Sequence, residues 1–206
     1  MPTIPTPNAI LERLVQVLAH RQRPVPSESK KARGAVAVII REGLGDLWVL
    51  MIRRRESPSD LWSGQMAFPG GRSDPQDRTL FDTVRRETLE EVGIDVNEHK
   101  FLGCLRNVQP KNAPMLVSPF VFLESKRAHP TTSREATEIV WVPVSFLTNP
   151  KNVTSIMAAI RGDNVPMGCY RYSNHMIWGM SFRIIQEIIS IITNHAWRHK
   201  AETEVR

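Results

Sequence analysis

Cysteine is scarce in this chain of 206 residues: only Cys104 and Cys169 occur, and neither stands in Cys-x-x-Cys spacing. A disulfide scaffold and a thiolate zinc site are thereby disfavoured, and two buried thiols are expected. Long apolar runs are also missing. No stretch reaches the roughly eighteen apolar residues of a membrane span, and the start of the chain lacks the charged-then-apolar pattern of an export signal. The last residues, Glu204-Val205-Arg206, differ from a Ser-Lys-Leu peroxisomal address, so a cytosolic (cytoplasmic) location with no membrane partner is the expectation. Negative charge is in deficit, with 27 Lys and Arg against 21 Asp and Glu and a net charge of +6. The excess is scattered over Lys30-Lys31-Ala32-Arg33, Arg53-Arg54-Arg55 and Lys126-Arg127, with no aromatic residues interleaved as in a base-stacking platform. No stable nucleic-acid partner is expected, because a positive rim that attracts a small polyphosphate accounts for the charge.

What is present is the patterning of one soluble enzyme domain with ordinary apolar and charged fractions and no internal repeat. Ile10, Leu11, Leu14, Val15 and Leu18 recur with helical spacing, and Asn8 is a possible cap. Pro24, Pro26 and the serines at 27 and 29 mark a linker. Residues 35–41 and 47–55 are β-rich runs around Gly43-Leu44-Gly45-Asp46, which reads as a hairpin. Further strands are expected at 101–108, 115–123 and 138–142, and a second apolar-periodic helix at 180–193 carries Ile184, Ile185, Ile188, Ile189 and Ile192. Those isoleucines belong to the core or to a subunit contact, and with Trp197 they allow a possible homodimer. The expected organisation is an N-terminal helix and linker over 1–30, a main domain over 31–195 and a tail over 196–206. Mixed strands and helices indicate an α+β fold or an α/β/α sandwich.

The chemistry-bearing segment is Gly70 to Ile94. At about 100° per residue, Glu87, Glu90 and Glu91 stand at i, i+3 and i+4 and converge on one helical face, while Phe81, Val84, Thr88 and Val92 form another that can pack on a sheet. Clustered carboxylates repel one another unless a cation sits among them, and oxygen ligands favour hard ions such as Mg²⁺ or Mn²⁺. Arg86, four residues before Glu90, can neutralise and orient the cluster. Spacing alone leaves a solvated acidic surface open as the other reading.

Arg86-Glu87-Thr88-Leu89-Glu90-Glu91-Val92-Gly93-Ile94 resembles the second half of the Nudix box, Arg-Glu-apolar-x-Glu-Glu-x-Gly-apolar. The resemblance implies an α/β/α sandwich with a mixed sheet and hydrolysis of a diphosphate linkage in a nucleoside diphosphate derivative. It also implies that Mg²⁺ or Mn²⁺ sits on Glu87, Glu90 and Glu91, with Arg86 as orienting partner and the Gly71 carbonyl within reach of the metal. The first half of the box departs from the pattern: Arg78 stands where Glu is usual, and Gly71 lies one residue early. Asp77 and Asp74 are the nearby carboxylates that can stand in.

Arg55, Gly64 and Phe68-Pro69-Gly70-Gly71, followed by Asp74-Pro75, resemble a further signature of the coenzyme A pyrophosphatase-like branch, as does Ile177-Trp178-Gly179-Met180. Glu56 and Asp60 replace the Ser and Arg of that signature. The resemblance spans about residues 34 to 192 and implies coenzyme A or acyl-coenzyme A as substrate, with Arg55, Arg72, Phe68 and Gly70 as substrate-binding residues and Arg55 reading the 3′-phosphate. Arg54 is expected on the opposite strand face. Glu90 is the proton acceptor by position, with Glu135 and Glu138 as carboxylates outside the box. A nucleotide-sanitising or salvage diphosphatase and a non-catalytic nucleotide-binding protein of the same fold are the alternatives. Both readings, functional and structural, stay open for His175, for Trp62 and Phe68 beside the box loop, and for the loop Pro110-Lys111-Asn112-Ala113-Pro114.

Overall fold

A computed structural model describes residues 5–21, 32–57, 63–111, 113–160 and 162–194. The linker prolines, Asp60, Trp62, Asn112 and the tail lie outside the described residues.

Helix α1 (Pro7–Ala19) begins at Thr6, whose side chain accepts the Ala9 N–H, with Pro7 in its first turn. Thr6 and not Asn8 is the cap, since proline at the first helical position lacks a donor and has a helical φ. Strands β1 (Ala32–Gly43) and β2 (Asp46–Arg54) form the expected hairpin. Gly43 pairs with Asp46, and Leu44 and Gly45 take φ of 52° and 73°, the two positive angles that a tight two-residue turn needs.

The main sheet has seven strands, with β3 (Met66–Ala67), β2, β1, β6 (Met115–Leu123) and β5 (Lys100–Cys104) in a row. Strand β4 (Gly70–Arg72) pairs with β1, and β7 (Ala136–Pro143) pairs with β2. Strands β1 and β6 run parallel, from Ala32 opposite Met115 to Ile40 opposite Leu123, whereas the other pairs are antiparallel. The sheet is therefore mixed. Ala35, Ala37 and Ile39 pack under helix α2 (Leu80–Val92) on one face, with Phe120, Phe122 and Val84. Val36, Val38 and Ile40 face the opposite core, shared with α1 and helix α4 (Gly179–Thr193). Covering both faces explains why β1 reads as an unbroken apolar run, and it produces the α/β/α sandwich.

The expected strand over 101–108 stops at Cys104. Gly103 has φ of 142°, the register shifts there, and the Leu18 backbone of α1 lies where a Cβ would stand. Val108 makes only an isolated bridge to Val117. The helix over 7–19 thus packs on the same core as α4, and Arg13 Nε donates to the Ile191 carbonyl.

A short helix α3 (Val144–Thr148) leads to a second antiparallel sheet that the sequence pattern did not announce: β8 (Val153–Ile160), β9 (Asp163–Tyr172) and β10 (His175–Trp178). On α4, Ile184, Ile185, Ile188, Ile189 and Ile192 are all buried within the single chain. That face is spent on the protein's own core, and Trp197 lies outside the described residues. Cys104 and Cys169 are both free and buried. Among the described residues no helix is long and apolar enough to cross a membrane.

Candidate active site

Helix α2 is fixed at both ends. Thr79 accepts the Asp82 N–H while the Asp82 carboxylate accepts the Thr79 N–H, a reciprocal cap, and Gly93 closes the helix at φ of 70° with its N–H on the Leu89 carbonyl. The apolar side packs on the sheet, which turns the glutamates toward strand β4. Glu91 lies about 40° to one side of Glu87 and Glu90 about 60° to the other, by the helical advance of roughly 100° per residue. The structure follows that angular order. Glu91 is buried and Glu87 is partly buried, and both line a cleft, whereas the Glu90 side chain is 60% exposed and outside the lining.

Two glycines let β4 approach this helix. The Gly70 N–H donates to Glu91 Oε2 at 2.8 Å. A Cβ on Gly70 would fall 2.2 Å from the Ala35 carbonyl oxygen, and one on Gly71 would fall 2.4 Å from the Glu87 carboxyl carbon. The Gly71 carbonyl oxygen lies over Gly34 of β1, 2.6 Å from where a Cβ on that residue would be.

Arg86 organises the acidic face. Its Nε and Nη2 fork onto the Asp77 carboxylate at 3.1 and 2.9 Å, Nη1 reaches Glu87 Oε1 at 2.8 Å and Glu90 Oε2 at 3.3 Å, and Nη2 donates to the Arg72 carbonyl. Arg78 stays on the surface, near Asp82 at 3.7 Å. Asp77, one residue earlier, supplies the carboxylate that the box pattern lacks. The Arg86 hydrogen bonds hold Asp77 down at about 2, and the same pairing raises the arginine. Asp74 instead shapes the loop, accepting the Gln76 N–H.

Burial pushes the Glu91 carboxyl up to about 7; the Gly70 N–H and Arg54, whose Nη1 is 3.8 Å away, oppose this, while Glu87 and Glu135 add to it. Glu87 is also raised, chiefly by burial, with Arg86 opposing and Glu90 and Glu135 contributing. Two desolvated carboxylates that repel each other are a donor set suited to a hard divalent cation. Among the described residues no three acidic, His or Cys side chains gather closely enough to hold an ion alone.

The cleft, of about 310 Å³, is lined by acidic, basic and apolar side chains together. Glu135 stands with Glu87 and Glu91 in the lining. Arg54, Arg72, Lys111 and Arg183 supply cations, and Met66, Met115, Met167, Met180, Phe68 and Trp178 supply apolar surface. Phe68 is buried and belongs to the core cluster, so its contact with the cleft is that of a packed wall.

Of the two arginines, the one expected as the control on the opposite strand face, and not Arg55, meets the cleft. Arg54 lines the cleft, while Arg55 is exposed, outside the lining, and its backbone N–H donates to the Glu135 carbonyl. Arg54 continues the β2 face of Leu50 and Ile52, which pack with α2, and the strand ends there, so Arg55 lies beyond it. Glu138 is taken by His175, whose Nε2 lies 3.1 Å from its Oε1, and neither residue lines the cleft. Arg183, Met66, Met115 and Met167 carry no sequence signal of their own, because they come from separate elements and share no spacing.

A mixed-sheet sandwich with an arginine-held carboxylate helix behind a glycine strand is the frame of a phosphoanhydride hydrolase. The NUDIX domain model matches residues 31–160, and the chain belongs to the Nudix family. It is a hydrolase acting on pyrophosphate bonds of nucleoside diphosphate derivatives, and Nudix hydrolases generally use divalent ions such as Mg²⁺ or Mn²⁺. It is 31% identical over 140 residues to an uncharacterized Nudix hydrolase, NudL, of Photorhabdus laumondii, covering 68% of this chain and 74% of that one. It is 24% identical over 153 residues to Nudix hydrolase 3 of Caenorhabditis elegans, covering 66% of this chain and 63% of that protein. Among solved structures, a MutT/nudix family protein from Enterococcus faecalis superposes with a TM-score of 0.53 at 17% identity, over 82% of this chain and 63% of that one, a likeness of fold.

Proposed function

We propose that this protein hydrolyses the diphosphate linkage of coenzyme A or an acyl-coenzyme A, releasing 3′,5′-ADP and a phosphopantetheine. The observation that carries the reading is one cleft that combines carboxylates, cations and four methionines in its lining. Unbranched, polarizable thioethers adapt to a thin flexible arm of variable shape, as a pantetheine chain is.

Glu87 and Glu91 would hold the divalent cation. Mg²⁺ or Mn²⁺ there supplies charge neutralisation at the phosphate oxygens and a more acidic water. Arg86 keeps Glu87 in place, and Arg72 and Arg54 meet the diphosphate oxygens. Glu135, inside the cleft, takes the proton from the attacking water; Glu90, exposed beside Arg86, is the other acceptor.

The test is a panel of coenzyme A, acetyl-coenzyme A, ADP-ribose, diadenosine polyphosphates and nucleoside triphosphates, each with Mg²⁺ and with Mn²⁺, with products resolved by chromatography. The expected result is the highest kcat/KM on a coenzyme A species. Preference for any of the other nucleotides overturns the coenzyme A assignment and supports the salvage alternative.

A further inference from the structure

The cleft contains a cation with no anion to answer it. Lys111, on the loop between β5 and β6, lines the cleft, and the single partner of its ammonium group among the described residues is the Met167 thioether, 3.4 Å from Nζ. A thioether is a weak acceptor and cannot neutralise a charge. The same loop receives a second cation: Nη1 of Arg183, from α4, donates to the Gln109 carbonyl at 2.8 Å. That bond uses one of the five guanidinium donors and no charge. Arg183 also lines the cleft, and no carboxylate within ion-pair distance of it or of Lys111 occurs among the described residues. The cleft's other arginines lie beside the acidic wall, where the diphosphate is bound in the proposed reaction. Arg54 lies beside Glu91, and the backbone of Arg72 is held by Arg86.

We infer that Lys111, supported by Arg183, is the specificity-determining site for a second phosphate on the substrate, a monoester apart from the diphosphate that is cleaved. This rests on the coenzyme A reading, in which that group is the 3′-phosphate of the adenosine ribose. Two cations that line one cleft leave it electropositive, and a dianionic phosphate there answers both charges. The ammonium is a compact point charge suited to a phosphate. The role expected of Arg55 from its sequence position passes to Lys111, because Lys111 is the one that faces the cleft.

The experiment compares 3′,5′-ADP with 5′-AMP as ligands of the full chain in EDTA by titration calorimetry, so that its outcome is independent of turnover. Wild type should favour 3′,5′-ADP by about tenfold or more, the scale of a charge-assisted contact. Lys111→Ala should bring the ratio close to one, Lys111→Arg should keep it, and Lys126→Ala, an equal loss of charge on a surface outside the cleft, should leave it unchanged. In turnover, Lys111→Ala should raise KM for coenzyme A with little change in kcat, and leave 3′-dephospho-coenzyme A unaffected. A preference that survives Lys111→Ala overturns the assignment, even if coenzyme A is cleaved. Loss of that preference in a protein that cleaves no coenzyme A would instead overturn the substrate reading and retain the phosphate site.

Discussion

The α-carbon of Gly71 faces the Glu87 carboxylate so closely that any side chain would displace it: a Cβ there lies 2.4 Å from the carboxyl carbon and from Oε2. Gly71 is not in the left-handed region, so the demand for glycine is one of space and not of backbone angle. Gly71→Ala should cost about 1–3 kcal/mol through overpacking and should weaken Mn²⁺ binding by moving Glu87. Denaturant unfolding of Gly71→Ala, Glu87→Ala and the double variant tests the contact, since the second substitution should recover much of the loss. Strictly additive losses would count against it.

The fork between Arg86 and Asp77 makes a prediction about acid stability. Asp77 is lowered from the ordinary 3.8 to about 2, mainly by the Arg86 hydrogen bonds, and its side chain is 6% exposed. A depressed carboxyl stabilises the fold above its unfolded value and loses that contribution as pH falls from about 4 through 2, a difference of about 2 kcal/mol. Asp77→Asn should therefore be less stable than wild type at pH 6, with the gap closing toward pH 2. Equilibrium unfolding across that range checks it; a gap independent of pH would assign the loss to packing.

Glu91 predicts the opposite slope. Its carboxyl is raised from 4.5 to about 7, so the metal-free fold is favoured while this group is protonated and loses stability as pH rises from about 4.5 through 7. Glu91→Gln, which keeps the shape and the acceptor for the Gly70 N–H, should unfold at higher denaturant than wild type in EDTA at pH 8, by up to about 3 kcal/mol, and should bind Mn²⁺ poorly. Equal stability at pH 8 would mean that water or Arg54 already satisfies the charge.

The proton acceptor is separable by two isosteric changes. Glu135→Gln should lower kcat by about a hundredfold or more if that cleft carboxylate takes the proton, with Mn²⁺ affinity changed much less. Glu90→Gln should cost less, because Glu90 is exposed beside Arg86. The reverse order, measured in saturating Mg²⁺, would return the role to Glu90.

The composition, the helical period and the box residues by themselves determined the family, the two long helices, the first hairpin and the pairing of Glu87 with Glu91. Each of these is local: helical advance places i and i+4 on one face, and two residues of positive φ close a hairpin, whatever surrounds them. Tertiary structure alone decided that Asp77 replaces the missing glutamate, since that depends on how the Gly70–Thr79 loop folds back over Arg86. It also decided that Arg54 rather than Arg55 enters the cleft, because α2 with Glu91 covers the β2 face of Leu50 and Ile52 that Arg54 continues. The isoleucine face of α4 looked the same in sequence whether it met another subunit or α1, and only packing against α1 and the sheet showed where its area was spent. Arg183 lies 74 positions from Gln109 and donates to its carbonyl, which brings α4 to the loop that carries Lys111, a proximity that no spacing rule encodes.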